Sequence, residues 1–165
     1  MYNLQKNTIL RPTTDPISIK ALEGDVFLRD VQNHFSGFDN GFSKFRSKNF
    51  KTPAIQCQVW QLEKKKNFIG MFESFQVDIK SLVLTEHQIV EFADCYGELF
   101  GKSGDMTFFL LESSNTKANE ADAFAVPGFG FSHAGKIPHA QLYPYQRSNI
   151  TWYPHQKVQI VIPHF

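Results

Sequence analysis

From Ala54 to Leu62 the chain reads AIQCQVWQL, with Ile55, Cys57 and Val59 alternating with Gln56 and Gln58. A period of two marks a strand with one buried face. The chain turns at Glu63-Lys64-Lys65-Lys66-Asn67 and resumes as FIGMFESFQVDI, where Ile69, Met71, Phe75, Val77 and Ile79 share one parity. Read with the same period, the two stretches predict a hairpin of strands 54–63 and 67–79. Its other face carries Gln56, Gln58, Ser74 and Gln76, but also Trp60, Phe68 and Phe72. Rings on the polar side of a sheet meet either a covering element of the same chain or a ligand.

The period changes at Thr85. Ile89, Phe92, Ala93, Tyr96, Leu99 and Phe100 recur at helical spacing, while Glu86, Glu91, Asp94 and Glu98 fall off that stripe. Thr85-x-x-Gln88 has the form of a capping box, and Gly101 stands where a C-terminal cap belongs. This predicts a helix over 85–100. Further strands are expected at 25–32, 106–112, 124–131 (interrupted at Pro127-Gly128) and 157–162, with a short one at 17–22. Loops are expected at 33–53 and 113–123, and coil across the Pro/Tyr/His-rich stretch 132–156.

That order predicts an α+β fold, mostly antiparallel β. The form expected is a small OB-like barrel or curved sheet with one amphipathic helix (85–100) and an irregular Pro/aromatic-rich C-terminal extension. One domain would span 1–165: an arm at 1–24, a core at 25–131, an irregular segment at 132–156 and a final strand at 157–165. In OB-type barrels oligonucleotides lie across the second and third strands and against the loop joining the first two. Trp60, Phe68 and Phe72 would occupy that face, and Gly70 would supply the bend a small barrel needs.

Composition narrows the function. The 165 residues are 42% hydrophobic and 20% charged, which describes a packed chain. Net charge is only +1, so no bulk field draws in a polyanion. The distribution is uneven, however. Residues 123–165 contain no acidic side chain, but they hold Lys136, Arg147, Lys157, four of the six histidines and eight aromatics. Cys57 and Cys95 fall on apolar faces of a predicted strand and helix, so buried free thiols are expected. The N-terminus has no signal-type apolar run, and no stretch approaches the length of a membrane span. These features predict a cytoplasmic protein without membrane attachment.

Enzyme motifs fail on spacing. Gly101-Lys102-Ser103 lacks the upstream glycine and strand of a phosphate loop. No Gly-x-Ser-x-Gly occurs, and neither cysteine sits in a glycine-rich turn. No catalytic role and no cofactor are expected.

The strongest chemical signal is Phe42-Ser-Lys44-Phe45-Arg46-Ser-Lys48-Asn-Phe50-Lys51, four cations and three rings in ten residues, with no acid from Asn40 to Leu62. Rings stack bases while cations neutralise the adjacent phosphates. The leading expectation is therefore a single-stranded nucleic-acid-binding protein of low sequence specificity. Phe42, Phe45, Phe50, Trp60, Phe68 and Phe72 would stack; Lys44, Arg46, Lys48, Lys51 and Lys64, Lys65 and Lys66 would contact phosphates. The alternative is a protein-interaction module, structural or inhibitory, that docks through Tyr143-Pro-Tyr145 and Trp152-Tyr153-Pro154-His155 and that could self-associate. A third reading is a histidine-metal enzyme using His133, His139, His155 and His164, although their spacing matches no compact metal motif.

Overall fold

Eight strands form one open mixed sheet in the computed structural model, which describes residues 8–31, 35, 37–100, 105–115, 122–131, 138–146 and 149–164. They are β1 (Leu10–Pro12), β2 (Ile17–Ile19), β3 (Ile55–Leu62), β4 (Met106–Phe108), β5 (Leu111–Glu112), β6 (Phe124–Gly130), β7 (His139–Pro144) and β8 (Val158–Pro163). The helices are α1 (Gly41–Lys44), α2 (Phe68–Glu73) and α3 (Glu86–Tyr96). β1 and β2 pair one after the other along the same strand, β3. β3 pairs with β8, β8 with β4, β4 with β6, and β6 with β7. Only β4 and β8 run parallel; the remaining pairs are antiparallel. Among the described residues no pairing joins the β1/β2 edge to β7, so no barrel closure is seen.

β4 and β5 hold one register on β6, Phe108 opposite Gly128 and Leu111 opposite Ala125. They are one strand interrupted at Phe109-Leu110, and the cause lies across the ladder. Phe109 N–H donates to Pro127 O at 3.1 Å, but Pro127 has no N–H to return. The Phe109 carbonyl thus receives no ladder bond from Pro127, and the next carbonyl, that of Leu110, accepts Leu84 N–H at 2.9 Å. Pro127 thus breaks its neighbour, while its own strand runs unbroken.

Both faces of the sheet are covered. On the first, Ile19, Cys57, Val59, Val161, Phe109 and Phe129 pack against α3 through Ile89, Val90 and Phe92. On the second, Leu10, Trp60, Leu62, Phe108, Ile160 and Ile162 pack against α2 through Phe68, Met71 and Phe72. Strands buried on both sides lose the clean alternation of a half-exposed sheet. Phe108 lies across Gly128, where an added Cβ would come within 2.4 Å of the ring.

The expected hairpin is absent because 67–79 is not a strand. Phe68, Met71, Phe72 and Phe75 are spaced i, i+3, i+4, i+7, and the side chain of Asn67 caps α2 by accepting Gly70 N–H at 2.9 Å. Glu73 was the flaw in the period-two reading, since it interrupts the apolar parity. Gly70 lies inside α2 and bends no strand. The expected strand at 25–32 is a 3-10 turn, Leu28–Asp30, whose Leu28 N–H goes to the Glu86 carboxylate and not to a ladder. Stretch 132–156, expected as coil, contains β7.

The helix and its capping box stand as expected: Thr85 Oγ1 accepts Gln88 N–H and Gln88 Oε1 accepts Thr85 N–H. α3 passes into a 3-10 turn, Gly97–Phe100; Gly101 lies outside the described residues. Cys57 is buried as expected, but Cys95 is exposed. Cys95 lies one turn beyond Glu91, off the apolar stripe, and its Sγ donates to Glu91 Oε1 at 3.3 Å. No helix among the described residues is long and apolar enough to cross a membrane.

Candidate nucleic-acid interface

The cationic segment 42–51 is a fastened strip. At its far end Leu22 and Thr52 exchange N–H···O bonds of 3.0 and 2.8 Å. Asn49 Nδ2 donates to Val26 O at 2.7 Å, and Asn49 Oδ1 accepts His87 N–H at 3.3 Å. Ser47 Oγ donates to one oxygen of Glu86, whose other oxygen accepts Leu28 N–H at 2.7 Å. Lys48 N–H donates to Glu112 O at 2.8 Å and Ser114 N–H to Arg46 O at 2.7 Å, joining the strip to the end of β5. Each of these ties runs to a residue distant in sequence, so the strip is held by the fold.

The side chains divide. Phe42 is buried against Phe38, and Phe45 is half-buried. Phe50 is 57% exposed, between Asn49, tied by its side chain, and Thr52, tied by its backbone. Lys48 is bound to Glu112 at 2.7 Å and Lys51 to Glu23 at 2.9 Å. Lys44 and Arg46 are exposed and have no ion-pair partner among the described residues; the same holds for Arg29.

These three cations surround two adjoining clefts. One, of about 600 Å³, is lined by Lys44, Phe45 and Arg46 on the strip and by Phe124 and Tyr143 from β6 and β7, with Asp122 also contributing. The other, of about 240 Å³, is lined by Arg29, Phe27 and Phe42 and contains Glu86. Phe45 and Arg46 line both, so they form the ridge between them. Burial, with a smaller contribution from the charge of Asp39, raises the Tyr143 phenol above its usual range. It therefore stays neutral at physiological pH and adds no negative charge to the larger cleft.

Three of the expected stacking residues are elsewhere. Trp60 is 2% exposed, and Phe68 and Phe72, on the sheet-facing side of α2, are fully buried. Trp60 packs edge-on against Phe75 at 5.1 Å, and Phe68 against Phe108 at 5.0 Å. These rings form core, and no base can reach them in this conformation. Lys64, Lys65 and Lys66 are exposed but follow β3, whereas 42–51 precedes it. The two sets of cations thus lie on opposite sides of β3 in sequence, and they line different surfaces.

The aromatic tail has largely turned inward. Tyr143 lies 5.5 Å from Phe68, Tyr145 5.9 Å from Phe124, and Trp152 4.8 Å from Phe108. Of the rings Tyr143, Tyr145, Trp152 and Tyr153, only Tyr153 is exposed. His139, His155 and His164 are exposed on separate elements, and His133 lies outside the described residues. Among the described residues no three metal-ligating side chains gather.

Arg29, Phe124 and Tyr143 had no part in the expected site. Arg29 sat in a stretch read as strand, and the other two are brought in by β6–β7 pairing. No sequence signal places them beside Arg46. Comparisons of the chain with protein-family models, with curated proteins and with solved structures found no match.

Proposed function

We propose that this chain binds single-stranded nucleic acid with little sequence preference, along the ridge formed by Phe45 and Arg46. One observation carries the reading: Arg29, Lys44 and Arg46, cations without ion-pair partners among the described residues, converge on two adjoining clefts walled by aromatic rings. Neighbouring Lys48 and Lys51 are already neutralised, so unpaired positive charge is concentrated at the ridge. Phe45 and the exposed Phe50 offer stacking faces, each contributing about 1–3 kcal/mol per base. A cleft of this size accepts a nucleotide-sized body. The reading needs no OB-type barrel, since the ridge is assembled by 42–51 and β5–β7.

Fluorescence anisotropy with labelled oligo-dT tests it. Affinity should fall as salt rises, and the double variant Lys44→Gln/Arg46→Gln should shallow the log–log salt dependence by about 1.4, two phosphates at about 0.7 each. Absence of binding at low salt, or binding indifferent to salt, discards the proposal.

A further inference from the structure

The lysine turn and the C-terminal segment meet at a second place. Lys66 and Trp152 exchange backbone hydrogen bonds of 3.1 and 2.9 Å, which lays the 64–66 turn against 152–157. The Trp152 ring turns inward onto Phe108 and Phe68. Tyr153, the next residue, is left 38% exposed. Its backbone is set by a 3-10 turn, Pro154–Gln156, with Tyr153 N–H donating to Gln156 Oε1 at 2.8 Å. Lys65 Nζ sits 4.9 Å above the tyrosine ring, and the His155 ring lies 5.5 Å from it.

Lys64, Lys65, Lys66 and Lys157 are all exposed here. Glu63, the acid that opens the turn, is bound to Arg11 at 2.9 Å. The C-terminal segment brings no acidic side chain. The result is a ring held on fixed backbone beneath the Lys65 ammonium, with Lys64 and Lys66 flanking Lys65 in the turn and Lys157 four residues beyond the ring.

We propose that this surface, centred on Tyr153, is a second contact for single-stranded nucleic acid, distinct from the Phe45–Arg46 ridge. This rests on the nucleic-acid reading above. A base enters over Tyr153 in place of the Lys65 ammonium, because stacking and cation–π contact use the same ring face. The displaced ammonium then meets the adjacent phosphate. Because the two surfaces are built from different residues, one strand engaging both gains affinity by linkage, with the second contact effectively intramolecular.

The test uses the full chain and labelled oligo-dT of about 4 and about 16 nucleotides, the usual range of footprints. Tyr153→Ala should weaken the longer oligonucleotide roughly fivefold or more, and Tyr153→Phe should restore it, because stacking needs the ring and not the hydroxyl. The triple variant Lys64→Gln/Lys65→Gln/Lys66→Gln should shallow the salt dependence by about 2. Circular dichroism confirms that these surface variants fold. If the parent binds and both sets of variants match it in affinity and salt slope, the second contact is overturned and the ridge stands. If these variants lose binding while Lys44→Gln/Arg46→Gln does not, the second contact stands and the ridge falls. If the parent binds no oligonucleotide, both fall.

Discussion

Gly24 runs so close to Phe50 that a Cβ added to Gly24 would lie 2.2 Å from the carbonyl carbon of Phe50. The backbone at Gly24 also has φ +80°, in the left-handed region. Its N–H donates to His87 Nδ1 at 3.0 Å, fixing the approach from a second direction. Gly24→Ala therefore meets both a steric clash with main chain and an unfavourable φ. It should lower stability by about 2–4 kcal/mol, read from denaturant midpoints. Phe50→Ser should instead leave stability within about 0.5 kcal/mol, as exposed sites do, yet weaken oligo-dT roughly fivefold. Unchanged affinity in that variant removes Phe50 from the binding surface.

Glu86 is the second staple of the strip. It is only 8% exposed, and each carboxylate oxygen accepts a different segment, Leu28 on one and Ser47 on the other. Glu86→Ala strands a buried N–H and a buried hydroxyl, and should cost about 2–4 kcal/mol. Glu86→Gln keeps one acceptor and should cost less. Equal stability for parent and alanine variant would show that neither bond matters.

Trp60 separates core from surface. With its ring beneath α2, its emission should be blue-shifted and should not respond to oligonucleotide, measured in a Trp152→Phe background that leaves one indole. Trp60→Ala should cost about 3–5 kcal/mol, the range for a large buried ring. A red-shifted emission quenched by oligo-dT would contradict the burial described above.

Alkali should unfold the protein through two buried acids. Burial pushes the Cys57 thiol from 9.0 up to about 12, and burial with a smaller effect of Glu73 pushes the Tyr145 phenol from 10.0 up to about 12. Both are raised in the folded state, so the unfolded chain loses these protons first. The stability they hold is complete below about pH 9 and is lost as pH climbs towards 12, at about 1.4 kcal/mol per pH unit for each group titrating. Cys57→Ala should flatten the pH 9–12 decline in thermal midpoint. Cys95, exposed, should react with a thiol reagent in the native state, while Cys57 reacts only on unfolding. The hydrogen bond to Glu91 raises the Cys95 thiol, so Glu91→Gln should speed its reaction.

Elements with one strong signal were legible in the chain. Thr85 and Gln88 announced α3 because a capping box is local chemistry, and Ile55–Val59 and Val158–Ile162 announced β3 and β8 through alternation. The stretch after Asn67 misled because FIGMFESF fits two periods, and the Asn67 cap decides for the helix. β7 was hidden by Pro138 and Pro144 at its ends, although Ala140 and Leu142 alternate with His139, Gln141 and Tyr143. The cationic strip was visible as composition, but its rigidity was not. Its ties come from Glu86, His87 and Glu112, 39 or more residues away for the first and 64 for the last in the bonds to Ser47 and Lys48. Nor could sequence tell which lysines carry spare charge, since Lys48 and Lys51 differ from Lys44 only in having a carboxylate opposite them in space.

Both rims of the sheet are obstructed. Pro12 and Pro16 deprive the β1/β2 rim of donors, and the Tyr96 hydroxyl takes the Ser18 carbonyl at 2.9 Å. On the other rim Asp39 holds β7, its carboxylate accepting Leu142 N–H at 3.0 Å while its own N–H donates to Ala140 O. A neighbouring copy therefore finds few open main-chain groups on which to extend the ladder. Crowded preparations of this phenylalanine-rich chain should resist fibre growth until one of those rims is stripped.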